Sequence, residues 1–365
     1  MFHKNAFGIL LLYACHGSLI VVIVLQMRKC VLPCKELKFY LNKNETKMKQ
    51  KHDWHRASKP KTNGGLSMKI KGIVPIIAAP FLDDGSIDYE GLINQLRYLK
   101  NSGCSGAALF GIAGEYFKLS DNECENMMKI TVEECRKLGL ASVVSCTCQS
   151  TYSAVERAKE IEALGADCIM LLPPFILKPL PAELMDHVRK VCMSVNIPVM
   201  LQYAPEQTGV PITPENMRML ASELSNLLYF KIECKPAGPY ISRFLEGAPE
   251  SVSVFNGNAG FQLIETYDRG AVGCMPGASM AKIYVDIDSA YREGNREKAV
   301  ELHNRLLPML NHIRQNVDMI IHFEKKILAR RGIIASDHCR HPEYVSDMET
   351  DALFEMYYEQ IKPYI

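Results

Sequence analysis

Lys231 carries the strongest chemical signal in this 365-residue chain, because it sits inside an apolar strand-like run, Leu228-Tyr229-Phe230-Lys231-Ile232-Glu233. Burying an ammonium disfavours its charged form and lowers its pKa, which prepares the amine to attack a ketone and form an imine. A lysine at the solvated end of a strand fits the same pattern, and position alone does not separate the two. By the strand period of two, Tyr229 and Glu233 share its face. As a charge partner, Glu233 keeps the lysine protonated unless water or substrate intervenes.

Three further groups have the right types for a site around such an amine. Gly111-Ile112-Ala113-Gly114-Glu115 offers small residues whose backbone N–H groups can converge on a carboxylate, although a tight turn needs the same glycines. Gln202 and Tyr203 stand on the run preceding that of Lys231, where an amide or a phenol can reach the same bound atom and move protons on and off a carbinolamine. Asn256-Gly257-Asn258 supplies candidate donors and Met275 a candidate pocket wall. The apolar run Leu172–Pro179 suits a dry wall as well.

The elements that must position these groups alternate along the chain. Short apolar runs at Ile73–Ala79, Gly106–Phe110, Ala141–Cys146, Cys168–Leu172, Val199–Tyr203, Leu228–Ile232, Val252–Asn256 and Ala271–Cys274 predict strands. Amphipathic stretches between them, such as Tyr89–Ser102, Asp121–Leu138, Tyr152–Leu164 and Ala182–Ser194, predict helices. Eight strand–helix units over about 200 residues fit a (β/α)8 TIM barrel better than an open doubly wound sheet. In such a barrel catalytic groups gather at the C-terminal strand ends, where all the residues above fall. Helical patterns at Ile283–Glu293, Arg296–Arg314, Val317–Arg331 and Met348–Lys362 predict a C-terminal helical extension. The chain thus divides into an N-terminal extension over 1–67, a barrel over 68–282 and a helical region over 283–365.

Composition narrows the class. At 48% hydrophobic and 23% charged residues, the chain is globular and long enough for one large core. Residues 1–67 hold 12 Lys/Arg against 3 Asp/Glu, which leaves 30 against 38 and a net charge of −8 for the remainder. A nucleic-acid partner is therefore not expected, since such a surface clusters Lys and Arg. The thirteen cysteines lack the paired spacing of a zinc site, so no metal is expected, and most read as small core residues of a reducing compartment. Residues 6–25 carry no formal charge and are long enough to cross a bilayer as a helix, with Arg28 and Lys29 placing the rest of the chain on the cytoplasmic side. The other reading is a mispredicted or disordered leader ahead of Met68, preceded by the linker-like Asn63-Gly64-Gly65. Either way the barrel is expected in the cytoplasm.

Taken together and in this order, the motifs resemble the dihydrodipicolinate synthase and N-acetylneuraminate lyase superfamily over residues 68–345. The resemblance rests on Gly72-Ile73-Val74-Pro75 and the acidic Asp84-Gly85-Ser86-Ile87-Asp88, on Gly111–Ser120 as a counterpart of a Gly-Thr-Thr-Gly-Glu signature, and on Pro205-x-x-Thr208-Gly209. The Lys231 strand and Gly270-Ala271-Val272-Gly273 complete it. It implies a class I lyase of aldolase or dehydratase type, in which the lysine forms an imine with a 2-keto acid or keto-sugar acid without metal or organic cofactor. It also implies a homo-oligomer, a dimer or a tetramer built from dimers. The chain departs from the family where Ile112 and Ala113 replace two hydroxyl residues and where Phe175 and Ile176 replace two tyrosines. The catalytic tyrosine falls on Gln202 when aligned through Pro205 and Thr208-Gly209, and on Tyr203 when aligned through the spacing to Lys231. An arginine near Gln207 that would hold a second carboxylate is missing, which argues against dihydrodipicolinate synthesis itself. The competing reading is a catalytically silent barrel that binds a keto acid or sugar acid as sensor or scaffold.

Overall fold

The computed structural model describes residues 9–15, 18–24 and 69–365. The chain divides into two compact units, Met1–Gly65 and Leu66–Ile365. In the first, the helix anticipated over 6–25 is replaced by two antiparallel strands, Ile9–Cys15 and Ser18–Val24, with Ile9 opposite Val24. The runs are short and rich in Val and Ile, which suit a pleated strand at least as well as a helix. Among the described residues no helix is long and apolar enough to cross a membrane.

The second unit is a barrel of eight parallel strands, each followed by a helix. The strands are β1 (Gly72–Ile73), β2 (Gly106–Leu109), β3 (Ala141–Cys146), β4 (Cys168–Leu171), β5 (Val199–Tyr203), β6 (Leu227–Ile232), β7 (Ser253–Asn256) and β8 (Gly273–Cys274). β1 is far shorter than the run that predicts it. Pro75 has no N–H for the ladder, so pairing resumes only at Ile76, which bridges both Ala108 and Gly277 and closes the barrel. The carbonyl of Pro75 still accepts from the N–H of Ala108 at 2.8 Å.

Helices α1 (Tyr89–Asn101), α2 (Asp121–Leu138), α3 (Thr151–Leu164), α4 (Pro181–Met193), α5 (Pro214–Glu223), α6 (Ala237–Leu245), α7 (Leu263–Asp268) and α8 (Ala281–Arg292) surround the strands. Ser120 and Glu123 form a reciprocal capping box that fixes the start of α2 directly after the loop of β2. Three more helices come next, α9 (Arg296–Ile313), α10 (Val317–Arg330) and α11 (Met348–Ile361), within the same compact unit as the strands. Helix α8 runs across the point where the sequence pattern separates barrel from helical region.

Two apolar layers hold this unit together. One lies between strands and helices; the other fills the barrel interior with Val74, Met170, Met200, Tyr229 and Phe255. The interior is thus a packed core and not a pore, as in other barrels of this type. Tyr229 closes its lower end, where the phenol oxygen accepts from the N–H of Ile70 at 2.9 Å. Room for a ligand remains above it, at the C-terminal strand ends.

Candidate active site

Tyr229, Lys231 and Glu233 climb one face of β6 and its continuation, so the strand that plugs the barrel bottom with a phenol presents an amine and a carboxylate at the top. Lys231 is 3% exposed and its Nζ lies 3.1 Å from Glu233 Oε1. Glu233 is held from two other sides as well. The amide of Gln202 donates to its Oε2 at 2.6 Å, and the backbone N–H of Asn258 donates to its Oε1 at 3.0 Å. Burial raises the Glu233 pKa, but the Lys231 charge and these hydrogen bonds outweigh burial and hold the carboxyl below its ordinary range. The turn after β7 comes this close because position 257 is glycine: a Cβ there would lie 2.2 Å from Glu233 Cγ.

Above the pair is a cavity of about 70 Å³, lined by Gln202, Lys231, Glu233 and Asn258 together with Ile112, Ala113 and Met275. Ile76, Gln207, Ala259, Pro276 and Gly277 complete its barrel walls. Ile112 and Ala113 open a short 3-10 turn. Among the described residues, their N–H groups have no hydrogen-bond acceptor. The first N–H groups of such a turn lack partners within it, which leaves them free for an anion.

Several residues singled out from sequence lie elsewhere. Tyr203 points away from the cavity, because β5 alternates faces and Gln202 takes the inner one. It stacks on Tyr240 of α6 with ring centroids 4.8 Å apart, in the layer between strands and helices. Of the two residues, Gln202 is the one that lines the cavity. Gly111 and Gly114 do not line the cavity. They permit close packing on the first strand segment, since a Cβ would lie 2.7 Å from Ile76 Cγ2 at Gly111 and 2.7 Å from the Ile77 carbonyl at Gly114. The run after β4 is no pocket wall, for Ile176 and Leu177 are 67% and 91% exposed.

Glu115 lies outside the cavity lining, in a buried ion cluster. Its carboxylate is fully buried, paired with Lys325 of α10 and with Lys118 at 2.9 Å, and it accepts from the backbone N–H of Arg340 at 3.0 Å. Lys325 is itself fully buried over the Phe81 ring; burial lowers its pKa and Glu115 opposes the shift. Removing one member of a buried pair leaves the other uncompensated, at a cost of about 3–5 kcal/mol. Glu115→Ala should therefore lower the denaturant midpoint by that equivalent and loosen the C-terminal helices. An unchanged midpoint would mean the cluster contributes nothing.

Three lining residues come from the C-terminal helices and were not anticipated: Arg314 just after α9, and Val317 and Ile320 on α10. Their only sequence trace is an arginine beside an apolar helical stripe, a pattern common on any core-facing helix. Among the described residues no three His, Cys, Asp or Glu side chains converge on a metal site.

The chain is thus a (β/α)8 TIM barrel with a buried lysine at the top of its sixth strand and carboxylate and amide groups around it. The chain belongs to the dihydrodipicolinate synthetase family, whose profile matches residues 69–357. It is 32% identical over 243 residues, 66% of this chain and 80% of the relative, to a protein named 4-hydroxy-tetrahydrodipicolinate synthase from Methanothrix thermoacetophila. A protein of the same name from Archaeoglobus fulgidus is 30% identical over 66% of this chain and 82% of its own length. In fold, the chain is similar to dihydrodipicolinate synthase from Rhodopseudomonas palustris, with a TM-score of 0.75, 23% identity and coverage of 80% of this chain and 97% of that one. It is equally similar to a prophage protein of that family from E. coli K12, solved in complex with pyruvate, with a TM-score of 0.75, 23% identity and coverage of 81% and 99%.

Proposed function

We propose that this protein is a class I lyase that forms an imine between Lys231 and a small 2-keto acid. The observation that carries this reading is the contact between a buried amine and a buried carboxylate under a small cavity. At about 70 Å³ the space is far below that of pockets for drug-sized ligands, roughly 300 Å³ and upward. A keto acid the size of pyruvate suits it better than a sugar acid. In this reading the free N–H groups of Ile112 and Ala113 receive the carboxylate that hydroxyl side chains bind elsewhere in the family.

Attack requires an uncharged amine. Glu233 is the base in contact with Nζ, and expulsion of water by the ligand disfavours the ion pair relative to the neutral amine and acid. With the Nζ proton on Glu233, the amine lone pair adds to C2 of the keto acid; the carboxyl gives that proton to the new alkoxide and takes a second one from the ammonium nitrogen, which leaves a neutral carbinolamine. The same carboxyl then returns a proton to the departing hydroxyl, which leaves as water, and its carboxylate faces the resulting iminium. In this reading Glu233, oriented by Gln202, does the work of the phenol relay that the chain lacks.

The test is borohydride reduction of the full chain with pyruvate, followed by intact mass and peptide mapping. The expected product is a single adduct on the peptide containing Lys231. Binding of pyruvate without any adduct would instead favour a silent binding barrel.

A further inference from the structure

We infer that Arg314, delivered by the C-terminal helices, supplies the positive charge that holds the substrate carboxylate together with the Ile112 and Ala113 N–H groups of the same cavity. This rests on the proposed keto-acid reading and adds a residue to it. Lys231 and Glu233 neutralise each other at 3.1 Å, and Arg314 also lines the cavity. Its guanidinium donates one hydrogen bond to Asn258 Oδ1 and lies over the Phe261 ring at 5.4 Å, while its buried Nε has no partner. Among the described residues it has no ion-pair partner. Burial disfavours its charge, with only the more distant fields of Tyr284, Glu233 and Glu206 opposing.

An arginine does not give up its proton in a protein, so the cavity carries one uncompensated positive charge and unused donors. A half-buried guanidinium left this way favours an anion with two acceptor oxygens, and a carboxylate matches its planar fork. The charge count admits a single anion: a monocarboxylate brings the cavity to neutrality, whereas a dicarboxylate would leave it negative. The small volume selects in the same direction. Asn258 takes part indirectly, because its backbone N–H orients Glu233 while its side chain orients Arg314.

The experiment compares the full-length protein with Arg314→Gln and Arg314→Lys. Calorimetric titration with pyruvate and with 2-oxoglutarate is run alongside borohydride trapping of pyruvate and of the neutral ketone hydroxyacetone. Arg314→Gln should weaken pyruvate about 10- to 100-fold relative to hydroxyacetone, with Arg314→Lys recovering part of the loss. The wild type should prefer pyruvate to 2-oxoglutarate. Equal weakening of pyruvate and hydroxyacetone would overturn the inference, as would a loss confined to 2-oxoglutarate. Arg314-dependent pyruvate binding without an adduct would keep the anion site and remove the imine reading. Adducts indifferent to position 314 would do the reverse, and wild-type protein that neither binds nor traps pyruvate would remove both.

Discussion

Replacing Lys231 by arginine is expected to abolish borohydride capture of pyruvate and to lower turnover by on the order of 10³-fold or more. The substitution keeps a cation opposite Glu233, so the charge balance of a site with a 3% exposed lysine survives. It removes the nucleophile, since a guanidinium stays protonated at any working pH. Retained far-UV circular dichroism together with lost capture is the result that isolates chemistry from folding. Lys231→Met provides the contrast: it also removes the nucleophile, but it leaves the Glu233 carboxylate with only the Gln202 amide and the Asn258 N–H. That variant should therefore be less stable than Lys231→Arg, because an uncompensated buried charge is costly. Capture at the wild-type rate in the arginine variant would end the imine reading.

The part of this site that lies on the strands was legible in the sequence, and the reason is geometric. Strand order and the period of two place Gln202 beside Lys231 on neighbouring strands, and the two are register partners in the structure. Asn258 and Met275 follow from the same rule applied to the ends of β7 and β8. Tyr203 was attractive only while the register between two anchors stayed open; once Gln202 takes the inner face of β5, the phenol must face the helices. A carboxylate in a glycine-rich turn, as at Glu115, looks alike in sequence whether it meets a substrate or a lysine brought from α10. Its partner lies far along the chain, and no local pattern announces it. Arg314 was invisible for the same reason. Alternation of strands and helices predicts where the barrel ends, but the helices beyond it dock by surface complementarity, which leaves no period to read. A polar residue on a core-facing helix then gains meaning only when the cavity beneath it is known. The consequence is direct: the strands bring the lysine and the carboxylate to the cavity, and the helical extension brings a second cation to its lining.

Glu233→Gln tests the proton path, and its effect should approach that of removing the lysine. Gln keeps the shape and hydrogen-bonding capacity of the side chain but cannot take a proton from Nζ or return one to the carbinolamine hydroxyl. Loss of a positioned general acid–base group slows such a step by about 10²- to 10⁴-fold, so rapid-quench borohydride trapping should show imine formation slowed within that range. The pH dependence should change as well. In the variant the amine proton must leave to solvent, so the trapping rate should climb with pH across the neutral range, more steeply than in the wild type. Stability gives an independent reading. Although burial raises the Glu233 pKa, the Lys231 charge and the two hydrogen bonds depress it overall. The linkage sign is therefore that of a carboxylate with a lowered folded pKa: its contribution is fully present above the ordinary value near pH 4.3 and is lost as pH falls through the lower folded value. Wild-type protein should lose this increment on acidification, and Glu233→Gln should show a flatter acid limb. Wild-type trapping rates in the variant, with an unchanged pH profile, would assign the proton transfers to water and leave Glu233 as a counter-ion alone.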